Sequence, residues 1–182
     1  HMINISGQVL PIRKICDMAH GKGVDVMVDG AHAFSHLNFN IPDLACDYYG
    51  TSLHKWLSVP LGAGMLYVKK GKASNVWPLL ASWGHEENDI LRLNHRGTHP
   101  VQTDLAIVNA IEYYEKLGAD RKEARLRYLQ HYWTSQVREI PNIVVNTPAD
   151  QNRHCAIGNV GIKNMPPKEL AETLLEKYRI WT

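Results

Sequence analysis

The chain has 182 residues, enough to bury one good domain core or one core with a small appendage. Apolar residues make up 45% and charged residues 21%, and the formal net charge of +2 is too small to argue for a nucleic-acid or membrane-surface partner. The three cysteines, Cys16, Cys46 and Cys155, form no Cys-x-x-Cys pair and sit in apolar surroundings, which argues against a disulfide framework and fits buried thiols in a reducing cytoplasm; no apolar run reaches membrane-spanning length.

Met2–Ser6 reads as a short buried strand and Gly7 as a turn. Pro11 suits the first turn of a helix, whose apolar face is Ile12, Ile15, Cys16 and Ala19. Gly21-Lys22-Gly23 predicts a left-handed cap, and Val24–Val28 a second strand ending in Asp29. This β-α-β order implies a parallel pair with a right-handed crossover. Ala31–Phe39 is expected to begin as a short helix, and Pro42-Asp43-Leu44 to form a helical turn. Cys46–Tyr49 and Met65–Val68 are further strands, with Gly50–Lys55 a loop between them.

Residues 73–100 lack periodicity, and a stretch of that kind inside a compact domain is usually functional. Val101–Leu117 turns helical, with Leu105, Val108, Ile111 and Tyr114 on one face, and Gly118 caps it. A second long helix runs from about Arg121 to Glu139, with Leu126, Leu129, Trp133 and Val137 on its apolar face. Beyond Pro141 the texture changes: strands at Ile143–Val145 and Ala156–Ile162, a helix at Lys168–Tyr178 and a strand at Arg179–Thr182 predict a small α+β domain.

The chemistry concentrates between Val24 and Lys70. An acid, Asp29, ends one strand; a lysine, Lys55, flanked by Ser52 and His54, follows the next. Open α/β sheets place their ligands where strands end in such groups. Asp29-Gly30-Ala31-His32, Ser52-Leu53-His54-Lys55 and the turn of Pro60, Gly62 and Gly64 together resemble the class V aminotransferases. These are pyridoxal 5'-phosphate (PLP) enzymes of fold type I that include cysteine desulfurases, selenocysteine lyases and isopenicillin N epimerase-like proteins. Asn4-Ile5-Ser6-Gly7 and Arg96-Gly97-Thr98 are weaker echoes of the same pattern.

The resemblance implies an α/β fold. Residues 1–120 would be the C-terminal part of the PLP-binding large domain, with a mostly parallel sheet in which the Met65 strand runs antiparallel. Residues 121–182 would be the long helix and part of a small α+β domain. Family members are roughly double this length, so segments are expected on both sides. Lys55 would be the Schiff-base lysine, held in a dry pocket so that its amine is neutral part of the time. Asp29 would keep the pyridine nitrogen protonated. His32 would lie by the phenolic oxygen, Ser52 and His54 would hold the phosphate, and Asn4 would hydrogen-bond the cofactor. Thr98 would reach the cofactor of the other subunit in a homodimer with shared sites. Each residue has a bland alternative: a surface lysine, a helix N-cap, a core histidine, a turn serine or asparagine, a polar loop. His36 is left as structural. His32 and His36 stand four apart, but the loop character of the segment and the PLP pattern argue against a metal pair.

The resemblance thus implies a PLP-dependent enzyme acting on a small amino acid. The Tyr48–Trp56 wording is nearer the isopenicillin N epimerase-like branch than the cysteine desulfurase or selenocysteine lyase type. The alternative of another class is a structural fragment that folds without catalysing, because the substrate-carboxylate arginine and any catalytic cysteine loop fall outside the chain.

Overall fold

The computed structural model describes residues 1–81, 83–95 and 97–182. It divides into two units, one made of His1 and Pro11–Ala119, the other of Met2–Leu10 and Asp120–Thr182. The segment Met2–Leu10, which the sequence reading assigned to the first domain, therefore belongs with the C-terminal residues.

In the first unit, helix α1 (Ile12–His20) starts behind Pro11 and buries Ile12 and Cys16, one turn apart. The left-handed residue that ends it is Gly23, φ +71°, not Gly21, φ −61°. The Val24 N–H reaches back to the Ala19 carbonyl, so the chain winds on before it reverses. Strand β1 covers only Met27–Asp29 of the expected Val24–Val28 run. Val26 is held off the ladder because its N–H donates to the Asp47 carboxylate at 2.9 Å and its carbonyl accepts from Asp47 and Tyr48.

Strand β2 (Tyr48–Ser52) extends through residues expected in a loop, and β3 (Gly64–Val68) pairs along all of it. Alternate residues Tyr49 and Thr51 are buried, the pattern of a strand with one face on a core. β1 pairs with β2 in parallel and β3 with β2 antiparallel, giving a three-stranded mixed sheet of order β1-β2-β3. The expected parallel partner of β1, Met2–Ser6, is not a strand. It forms a turn closed by one antiparallel bridge, Met2 to Val9, with Gly7 at φ +70°.

Between β1 and β2 the chain makes a tight series of turns over 31–37 rather than a helix, then a 3-10 helix at Ile41–Leu44 that packs against α1. Ser35 takes φ +57° inside that series, which breaks any helical run. Helix α2 (Val101–Leu117) buries Thr103 and packs Ile107, Ala110 and Tyr114 on a core of Leu53, Leu57, Val59 and Ala63. Of the four residues that the sequence places on one face, Leu105, Val108 and Ile111 are exposed, while Tyr114 packs on that core. The helix carries two apolar stripes, and periodicity cannot say which one turns inward.

In the second unit, helix α3 (Ala119–Val137) buries Gln130 and Thr134, while Leu129 is exposed. Strands β4 (Ile143–Val145) and β5 (Val160–Ile162) pair antiparallel, and α4 (Pro167–Tyr178) packs beside β5. Arg179–Thr182 is not a strand: the Arg179 and Ile180 N–H groups close the end of α4 instead. Thr147 ties the N-terminal turn into this unit, donating to the Ser6 carbonyl and accepting from the Asn159 N–H, both at 2.8 Å. A Cβ on Gly7 would meet the Ile157 carbonyl oxygen at 2.1 Å, so only glycine fits there. All three cysteines are buried and free, as expected.

Asp47, only 1% exposed, anchors the turn into β2. Its carboxylate accepts from His20 Nε2 at 2.7 Å and from the Val26 N–H, with Lys69 and Lys72 just under 4 Å away. Burial pushes its pKa up; the hydrogen bonds from His20 and Val26 and the nearby positive charge outweigh burial and hold it below the ordinary 3.8. A depressed carboxylate pKa contributes stability that is present above 3.8 and lost as pH falls through the lower folded value. Asp47→Asn is expected to cost about 1–3 kcal/mol near neutral pH. It should also flatten the acid side of the stability profile, followed by urea midpoints from about pH 7 down to about pH 3. Parallel profiles for the two proteins would refute the assignment.

Candidate active site

The parallel pairing of β1 and β2 sets Asp29 opposite Gly50, so both strands deliver their carboxyl ends to one edge of the sheet. Asp29 is exposed there, and its Oδ1 accepts from the Ala31 N–H at 2.9 Å. That bond is the turn chemistry of Asp-Gly, and the second carboxylate oxygen is left for another partner. Gly30 follows with its N–H bonded to the Gly50 carbonyl at 2.8 Å. A Cβ at Gly30 would lie 2.0 Å from the ring of Tyr49, which is fully buried, so the close approach of the two strands requires glycine. Burial also drives the Tyr49 phenol far above its ordinary pKa, keeping it neutral.

The two turns beyond the strands meet. Lys55 Nζ lies 3.0 Å from His32 Nε2. Leu53 and Leu57, on either side of Lys55, are buried in the core under α2, and the Ser58 and Val59 N–H groups bond to the Lys55 and Leu53 carbonyls. This pins the backbone of the turn and leaves the Lys55 side chain outside the core. Lys55 is exposed, in contrast to the dry pocket expected from sequence. Ser52 and His54 are half-buried, Ser52 in the last pair of β2 with Gly64.

His32 is the electrostatic partner of Lys55. Burial, then the Lys55 charge, lowers its pKa below 6.5, and the Asp29 charge only partly opposes this. A neutral imidazole accepting from Lys55 at Nε2 carries its proton on Nδ1. That Nδ1 is buried with no hydrogen-bond partner among the described residues, as is Nδ1 of His54. Buried polar atoms without partners are rare in folded proteins and call for an explanation at each occurrence. Arg92 Nε, Gln130 Nε2 and both ring nitrogens of His154 share this state elsewhere among the described residues, so what sets His32 apart is that its other nitrogen meets the Lys55 amine.

The structure thus groups Asp29, His32, Ser52, His54 and Lys55 on one unit. Thr98 is exposed on the approach to α2, and no hydrogen bond among the described residues ties it to that group. Arg96, beside it, lies outside the described residues. Asn4 is exposed in the N-terminal turn and belongs to the second unit. His36, taken from sequence as structural, is 1% exposed and stacks on Trp56 beside the lysine. Trp56 was readable only as the neighbour of Lys55, since nothing in its spacing pointed to His36.

The whole chain, residues 1–182, matches the family model described as Aminotransferase class-V. Isopenicillin N epimerase of Streptomyces clavuligerus is 28% identical over 99% of this chain and 50% of its own length. Cysteine desulfurase of Escherichia coli O6:K15:H31 is 31% identical over 84% of this chain and 39% of its own. The apo structure of cysteine desulfurase from Thermococcus onnurineus NA1 superimposes with a TM-score of 0.84 at 20% identity, covering 100% of this chain and 47% of that one, a likeness of fold. The chain spans about half the length, or less, of the curated relatives it matches.

At pH 7 His32 is expected to be neutral. Its NMR titration midpoint should fall below 6.5 and should rise in a Lys55→Ala variant, although not fully, because burial is the larger cause. A midpoint insensitive to Lys55 would mean that the two side chains do not face each other in solution.

Proposed function

Given that the chain belongs to the class V aminotransferase family, a family of PLP-dependent enzymes, we propose that it carries the lysine and the ring-binding acid of a PLP site acting on a small amino acid. The observation that supports this reading is the grouping at the carboxyl ends of β1 and β2: an exposed amine, Lys55, 3.0 Å from a neutral His32, with an exposed carboxylate, Asp29, on the adjoining strand. The donor set fits the cofactor. PLP, when bound, supplies an electron sink for negative charge at a substrate carbon. Lys55 offers the amine that holds the aldehyde carbon covalently. Asp29 has an oxygen free of its turn bond to keep a proton on the ring nitrogen. Ser52 and His54 offer a hydroxyl and an imidazole to a phosphate, and His54 Nδ1 has no hydrogen-bond partner among the described residues. His32, held neutral, accepts a hydrogen bond from Lys55 at Nε2 and can donate one from Nδ1. The expected hydrogen bond from Asn4 rests on the resemblance alone.

Epimerase, lyase and aminotransferase chemistry are all compatible with this set, and the relatives carry both the epimerase and the cysteine desulfurase names. We favour the epimerase-like reading, on the Tyr48–Trp56 wording. A second reading, a fragment that folds without turnover, draws support from the exposure of Lys55 and Asp29, because a preorganised site gains its electrostatic strength by excluding water. Mixing the chain with PLP, reducing with borohydride and mapping the label separates them. Label on Lys55 is expected, with loss of the visible absorption band in Lys55→Ala. Label on other lysines and none on Lys55 would refute the site; label without turnover would favour the second reading.

We further propose that the full-length protein is a homodimer in which Thr98 serves the partner's site. Trp77, Leu79 and Trp83, on the irregular stretch before α2, are 91%, 97% and 84% exposed, an unusual concentration of large apolar groups in water. Full-length Thr98→Ala and Lys55→Ala chains, each impaired alone, should regain activity when mixed, because the mixed dimer gathers both lesions in one site and leaves the other intact. No recovery, or an active monomer, would refute sharing.

A further inference from the structure

The turn that carries His32 and the turn that carries Lys55 leave the sheet on different strands, and ladder pairing stops at Asp29 and Ser52. Three residues beyond each strand end, the two side chains still meet at 3.0 Å. His36 lies where it can set that spacing. It is buried, and its Nδ1–H donates to the carbonyl oxygen of His32 at 2.7 Å. Its ring stacks on Trp56, with centroids 3.7 Å apart and planes at 26°. Trp56 directly follows Lys55. A single imidazole therefore grips the backbone of the residue that meets Lys55 and the side chain of the residue next to Lys55.

We infer that His36 and Trp56 form a clasp between the two turns that fixes the distance from His32 to Lys55, which makes both of them positioning residues for the site. A purely apolar filler would occupy the same space without fixing the direction of the His32 backbone; a buried ring that spends its N–H on one carbonyl specifies orientation as well as volume. The other anchoring is apolar or local. Leu53 and Leu57 hold the lysine turn to the core under α2, and Phe34 of the His32 turn packs against that same core. The Ala33, Phe34 and Leu37 N–H groups hold the His32 turn to itself. Apolar contact thus brings the two turns together, and the stack adds a directional link beside Lys55.

The clasp deepens the proposed PLP site, but its test needs no cofactor. In the chain alone, His36→Ala and Trp56→Ala should each raise the NMR titration midpoint of His32 toward 6.5 and abolish the nuclear Overhauser contact between the His32 ring and the Lys55 side chain. Trp56→Phe, which keeps an aromatic face, should retain both. Trp56 is half-buried, so its alanine variant gives the answer if His36→Ala does not fold. Cys16→Ala, fully buried in α1, is the control for lost stability and should leave the His32 midpoint in place. If Trp56→Ala leaves the midpoint and the contact unchanged, the pair is ordinary packing and the clasp is refuted. A moved midpoint with no label on Lys55 would refute the PLP reading and keep the clasp; label on Lys55 with an unmoved midpoint would do the reverse.

Discussion

Met27, Val28 and Asp29 face Tyr48, Tyr49 and Gly50 in parallel register, and the rest of the first unit depends on that pairing. Parallel strands send their carboxyl ends the same way, so whatever follows Asp29 and whatever follows Ser52 must emerge at one edge. The approach is close enough that Gly30 rests where a methyl group would strike the Tyr49 ring. The Asp47 carboxylate reinforces the register from the other end by taking the Val26 N–H out of the ladder. A slip of one residue would turn Tyr49 and Thr51 outward and move the lysine turn away from His32.

With the edge fixed, electrostatics decides what the site can do. His32 sits between a cation and a carboxylate, and burial together with Lys55 prevails over Asp29 to keep it neutral. A neutral histidine is an acceptor for the lysine, whereas a protonated one would repel it. Nδ1 of His32 and Nδ1 of His54 are buried with no hydrogen-bond partner among the described residues, which leaves hydrogen-bonding capacity unused. Both features are what a site for a polar ligand needs, and neither adds to the stability of the chain by itself.

Much of this was legible in the sequence, for physical reasons that vary along the chain. The placement of Asp29 at a strand end and of Lys55 in the turn after a strand was readable because a polar residue closing an apolar run is a local pattern. α2 and β4 were readable because their periodicity and breakers are local too. Met2–Ser6 misled because a short apolar run resembles a strand whether or not a partner exists, and here it bridges only to Val9 across a glycine turn among the described residues. Arg179–Thr182 misled in the same way, since its N–H groups are taken by the end of α4. The inward face of α2 was not legible because Leu105 and Ile107 begin equally apolar stripes, and only the position of Leu53, Leu57 and Val59 chooses between them. The stack of His36 on Trp56 is a contact across 20 residues of turn, strand and helix, with no local signature.

The two kinds of element divide the work at the site. Strands fix positions through many cooperative backbone bonds, so Asp29 and Ser52 are set by the sheet and can be altered only at a cost to the fold. Turns are fixed by a few side chains, so His32 and Lys55 are set by Leu53, Leu57, His36 and Trp56. None of those four lies in a strand, so the ladder pairing of the sheet does not depend on their side chains. The relatives carry both the epimerase and the cysteine desulfurase names, and in this chain the strand ends and the lysine turn are held by separate sets of contacts, the strand ends by ladder pairing and the turn by apolar side chains.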